Sequence, residues 1–164
     1  MGKDDRNRTY VNMMIDSLRK KKAILDDLYA LTIKQEELLT KESMDTDEFE
    51  KTTEDKGSFL DELNHLDEGF DSLYKKLETE LMARQAEYAD EISMMKGLIR
   101  EITDTSSKIQ VTEKKNYDRF QKFVADERVK IKKANLNNQT ASTYAKNMAG
   151  GHKEGNSYFV NETK

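Results

Sequence analysis

Between Phe59 and Leu77 the large apolar residues are Phe59, Leu63, Leu66, Phe70, Leu73 and Leu77, at intervals of four, three, four, three and four. An apolar position about every 3.5 residues keeps one face of a helix against a neighbouring helix over several turns. A single helix cannot bury that seam, so the segment requires partner helices beside it. The chain supplies them without interruption. None of its 164 residues is proline, so no position loses its backbone donor or blocks the preceding helical turn. Together these features predict an all-α fold.

From about Thr9 a similar stripe runs through Val11, Met14, Leu18, Leu25, Leu28 and Leu39, widened by Met13, Ile15, Ile24 and Leu38, and predicts a first helix over 9–42. Within KESMDTDEFE, Asp45 or Thr46 can cap a second helix over 46–80, and the acids of its first turn suit the positive end of the helix dipole. The seam fades between Glu78 and Glu87, where the chain must reverse with no Gly or Pro to mark the turn. A third helix over 86–135 carries Tyr88, Ile92, Met95, Ile99, Ile102 and Ile109, with Ser106, Glu113 and Asn116 placing polar groups on the seam. A short helix over 141–148 follows NLNNQTAS, and Gly150-Gly151 opens a flexible tail over 150–164. The expectation is one domain over 1–149, an elongated antiparallel three-helix bundle or coiled coil with a long third helix and a flexible C-terminal tail. Apolar residues are 35% and charged residues 37% of the chain, against about 45–50% and about 25% in ordinary domains, so the core must be narrow.

At about 1.5 Å per residue the first two helices would span roughly 50 Å each and the third about 70 Å, leaving about 20 Å of it without an intrachain partner. Beyond the polar interruption that helix carries an aromatic-rich stripe, Tyr117, Phe120, Phe123, Val124 and Ile131. An exposed apolar stripe marks an interaction surface. It suits capture of a partner helix, a fold-back of the chain after Asn135, or pairing of two copies as a homodimer, and a plain coiled-coil scaffold remains the alternative to a client-binding module. Gly69, within NHLDEGFDSLY, costs about 1 kcal/mol against alanine in a helix interior and is expected to permit close helix approach or a slight bend. Its neighbours His65, Asp67, Glu68 and Asp71 are expected to face water or its margin.

Most chemistry is excluded by what the chain lacks. A net charge of −4 with acids and bases well mixed offers no basic face for nucleic acid. No apolar run approaches the roughly 18 residues of a membrane span, and the charged start MGKDDRNR does not resemble a signal peptide, so no membrane insertion and a cytoplasmic location are expected. There is no cysteine to frame a disulfide or act as a nucleophile. Glu62-Leu63-Asn64-His65 has the Glu-x-x-His spacing of di-iron bundles, but no second pair exists and His65 should point away from the core. DTDEFEKTTEDK begins like a calcium loop and then has Glu50 where glycine is needed and Lys56 where the bidentate glutamate belongs. No Gly-rich phosphate loop is present, and paired acids on a slim bundle lack the sheltered pocket that acid/base chemistry requires. No metal, no cofactor and no catalytic residue are expected, so the protein reads as a non-enzyme.

Three segments in this order, DKGSFLDELNHLDEGFDSLY at 55–74, SSKIQVTEKKN at 106–116, and ASTYAKNM followed by SYFVNETK at the C-terminus, resemble the FlgN/FliT-type flagellar export chaperones. Gln35 before Glu37-Leu38-Leu39 in the first helix fits the same likeness. The resemblance implies a small cytoplasmic helical protein that holds hook-associated proteins, of the hook-filament junction or the filament cap. It would keep them unassembled and deliver them to the export apparatus. It also implies that a client's terminal helix is bound by the C-terminal helical region, here Tyr117 through Met148. The candidate client-binding residues are therefore Tyr117, Phe120, Phe123, Val124, Ile131, Tyr144 and Met148. In the tail Tyr158, Phe159 and Val160 form one apolar bead that could occupy the same stripe when no client is present, or simply pack on the third helix.

Overall fold

The computed structural model describes residues 2–128, which form three helices packed antiparallel: α1 Gly2–Thr40, α2 Thr46–Ala83 and α3 Ala89–Glu127. Their lengths are nearly equal at 39, 38 and 39 residues. The first helix starts seven residues before the expected Thr9, and the second runs three residues past 80. The third begins at Ala89, and its expected last turns, to 135, lie outside the described residues, as do the short helix over 141–148 and the tail over 150–164.

Each helix boundary has a local cause. Asp45, with extended backbone, accepts a hydrogen bond from the Glu48 amide at 3.1 Å, and Asp47 and Glu48 occupy the first turn of α2. Between α2 and α3 the chain reverses over residues 84–88. The Arg84 amide closes the end of α2 on the Glu80 carbonyl at 3.0 Å, and the amides of Glu87 and Tyr88 both reach the Arg84 carbonyl. Tyr88, 2% exposed, then anchors the turn in the core, with the Arg8 guanidinium 5.2 Å from its ring centroid and Arg8 paired with Glu91 at 2.9 Å. A buried aromatic thus does the work for which glycine or proline was absent.

Backbones approach most closely between α1 and each of the other helices, whereas α2 and α3 meet through long side chains. The helix α1 is accordingly the spine. The buried apolar residues fall into two groups. The larger, at the end that holds the α2-α3 turn and through the middle, includes Met14, Leu28, Leu63, Leu77, Met95 and Ile109. The smaller, at the end that holds the α1-α2 turn, is built on Leu38, Phe49 and Phe120. Three seam assignments shift: Leu38 rather than Leu39 is the more buried of that pair, Tyr74 rather than Leu73 takes the core position, and Met13 is 49% exposed. Asp67 lies at the margin of the core, half-buried and paired with Lys21 at 2.6 Å.

Gly69 is exposed, and a Cβ built there would meet nothing within 4 Å. Close helix approach is therefore not its role. Replacing Gly69 with alanine is expected to raise stability by about 0.5–1 kcal/mol, since only the backbone entropy of the unfolded chain changes. A urea midpoint equal to or below that of the unaltered protein would show that the glycine does serve the fold.

Candidate functional site

The stripe from Tyr117 to Val124 ends α3 beside the α1-α2 turn. Phe120 is 2% exposed and lies parallel to Phe49, ring centroids 5.1 Å apart with planes 6° from one another. Stacking of that kind adds about 0.5–1.5 kcal/mol to the burial of the rings. Phe123 approaches Phe120 at 6.2 Å, and Phe123 and Val124 are half-buried against the small cluster that Leu39 and Met44 also border. This corrects the expected overhang. Phe123 and Val124 have intrachain neighbours because the α1-α2 turn reaches their level. Tyr117 is half-buried one turn earlier. Ile131, Tyr144 and Met148, and the bead Tyr158, Phe159 and Val160, lie outside the described residues.

Immediately below the aromatic pair lies a layer of buried polar side chains from all three helices. Lys56 of α2, 2% exposed, forms an ion pair with Glu113 of α3 and donates to Gln35 Oε1 of α1 at 2.6 Å. The amide of Gln35 donates in turn to the hydroxyls of Thr52 and Thr53 at 3.0 and 3.1 Å. The Thr32 hydroxyl lies 2.8 Å from the Leu28 carbonyl and 3.2 Å from Glu113 Oε1, and its one hydrogen serves either. Asn116 Nδ2 donates to the Thr32 carbonyl at 3.0 Å, while its Oδ1 has no hydrogen-bond partner among the described residues. Burial lowers the Lys56 pKa from 10.5 to about 8 despite the neighbouring carboxylate, and burial raises that of Glu113 despite the neighbouring ammonium. Desolvation thus outweighs pair attraction at both ends of the bridge.

The layer divides the two apolar clusters along every helix. On α1, Thr32 and Gln35 separate Leu28 from Leu38; on α2, Thr52 and Lys56 separate Phe49 from Leu63; on α3, Thr112, Glu113 and Asn116 separate Ile109 from Phe120. Phe49, Leu38, Gln35 and Lys56 were not among the expected site residues. Continuing the Phe59 seam backwards in steps of three, four and three reaches Lys56, Thr52 and Phe49, a signal that lay in the spacing.

The other candidates have no comparable setting. Glu62 and His65 are both exposed and border a shallow groove with Ile24 and Leu66. Among the described residues no group of three or more His, Cys, Asp or Glu could hold a metal ion, and no helix is long and apolar enough to cross a membrane.

Compared with known families, the chain matches the model described as FlgN protein over residues 10–148. Neither a curated protein nor a solved structure matches the chain.

Proposed function

From the premise that the chain belongs to the FlgN family of flagellar export chaperones, we propose that it holds the terminal helix of a hook-filament junction protein along the C-terminal part of α3 and the residues that follow. Proteins of this family are cytoplasmic and non-catalytic, and they bind hook-associated proteins. The client helix would lay its apolar face on Tyr117, Phe120, Val124 and Ile131, which follow one another at intervals of three, four and seven, with Tyr144 and Met148 beyond. Covering that face keeps the client from assembling before it reaches the export apparatus. Ordering a flexible client segment costs free energy, which holds affinity moderate and permits release without nucleotide hydrolysis.

The observation that carries this reading is an apolar stripe that α3 buries only in part, within a family match that extends past α3 to Met148. Ile131→Asp and Tyr144→Asp in the full chain are expected to weaken binding of a junction-protein C-terminal peptide at least about tenfold, or about 1.4 kcal/mol, with the melting temperature unchanged. Calorimetric titration reads this directly. Undiminished binding by both variants would move the site elsewhere, and absence of binding by the unaltered chain would remove the reading. In the same titration, deletion of residues 150–164 is expected to tighten binding if the Tyr158-Phe159-Val160 bead competes for the stripe.

A further inference from the structure

The centre of the proposed client stripe is covered within the chain itself. Phe120 cannot present its face while Phe49 stacks on it at 5.1 Å. The cover, however, is slight. Among the described residues only Leu38, Phe49 and Phe120 are fully buried in this cluster, and Leu39, Met44, Phe123 and Val124 around them are partly buried. On the outer surface the Arg119-Glu36 pair, at 3.6 Å with both side chains at least one third exposed, adds little hold.

Below this end the polar layer sets a boundary. Glu113 and Asn116 are fastened by Lys56 and Thr32, so separating α3 from α1 and α2 above them breaks the apolar contacts of the small cluster and the exposed Arg119-Glu36 pair, while continuing past them would strand buried polar groups. Regions with few buried apolar contacts open at free energies well under that of global unfolding, and a sharp energetic boundary makes such an opening a discrete unit. Resting on the proposed client binding at α3, we infer that α3 from Tyr117 to Glu127 opens as such a unit from the α1-α2 end, and that Phe49 is the internal competitor which the client displaces from Phe120. The fitting partner is an amphipathic helix with an aromatic or large aliphatic side chain that stacks where Phe49 does.

Affinity for a client that takes only the open form is its intrinsic affinity multiplied by the open fraction. Removing Phe49 raises that fraction and leaves the α3 stripe untouched. Removing Phe120 raises the fraction as well but takes away the surface the client needs. The two substitutions damage the same stacked pair, yet they are expected to move client affinity in opposite directions.

Hydrogen exchange on the free, full-length protein tests the opening first. Amides of 117–127 are expected to exchange at least about tenfold faster than those of 95–109 in the larger core. Titration with a synthetic peptide of the junction protein's C-terminal helix then tests the competitor. Phe49→Ala should bind about three- to tenfold more tightly than the unaltered chain, and Phe120→Ala should bind more weakly. Equal protection of the two segments, or binding by Phe49→Ala no tighter than normal, overturns the inference while leaving the chaperone reading in place. Should no form of the protein bind the peptide, the chaperone reading and the role of Phe49 as competitor fall together, and the exchange rates decide the opening alone. Exchange on the unaltered protein needs no variant to fold, so the opening is tested even if Phe49→Ala does not.

Discussion

Lys56→Met is expected to destabilise the protein by about 3–5 kcal/mol, because it leaves the Glu113 carboxylate buried without its cation. The loss is large beside the roughly 5–15 kcal/mol that holds a whole domain together. Lys56→Met/Glu113→Leu should recover most of it. Replacing a buried pair by apolar groups is often stabilising by about 1–4 kcal/mol. Against this, Gln35 Oε1 loses the ammonium that donates to it at 2.6 Å, an orphaned acceptor that costs about 1–3 kcal/mol. The two effects nearly cancel, so the double variant should unfold close to the normal urea midpoint and the single variant far below it. A double variant as unstable as the single one would mean that the ion pair contributes through more than mutual compensation of charge.

The same variants carry a pH signature. Lys56 titrates near 8 in the folded protein and near 10.5 when unfolded, so between those values the unfolded chain binds more protons and stability rises with pH. That contribution is complete above the unfolded value and is lost as pH falls through about 8. Glu113 is shifted the other way; its contribution is complete below its unfolded value of 4.5 and is lost as pH rises through the raised folded value. Comparison of the double variant with the normal chain across pH 8 to 10.5 isolates the alkaline rise, since the two differ only at Lys56 and Glu113.

The layer also explains how far the fold could be read from residues alone. Apolar spacing located all three helices and the reversal near Glu78 to Glu87, and capping chemistry offered Asp45 or Thr46 as the start of α2, of which Asp45 is the cap, because each of these is a local signal. The polar interruption at Ser106, Glu113 and Asn116 was equally visible. Its meaning was not, since a glutamate on a seam is an interruption until a lysine from another helix is known to meet it, and Lys56 lies 57 residues away in sequence. The same holds for the candidate site. Spacing identified Phe120 as an apolar stripe residue. Whether it faced water depended on the level of the α1-α2 turn, which is set by helix packing and not by the stripe. The spacing of the α2 seam reaches Phe49, yet a seam position does not say which ring of another helix it will cover.

A polar layer between two cores gives the bundle two stabilities, and substitution on either side of it should show them. Leu28 is fully buried in the larger cluster, and Leu28→Ala is expected to cost about 2–5 kcal/mol with an unchanged denaturant slope. Phe120 is the larger side chain, and a cavity in a single rigid core would make Phe120→Ala cost about 3–5 kcal/mol, with the stacking loss of about 0.5–1.5 kcal/mol in addition. If the end of α3 opens separately, however, the measured cost cannot exceed the free energy of that opening. Once the end stays open in the folded protein, the missing ring has nothing further to lose. Far-UV circular dichroism in urea should therefore show Leu28→Ala unfolding at the lower denaturant concentration, although it deletes fewer atoms. The reverse order would make the Phe49-Phe120 end part of one cooperative core, with no separately opening unit for a client to enter.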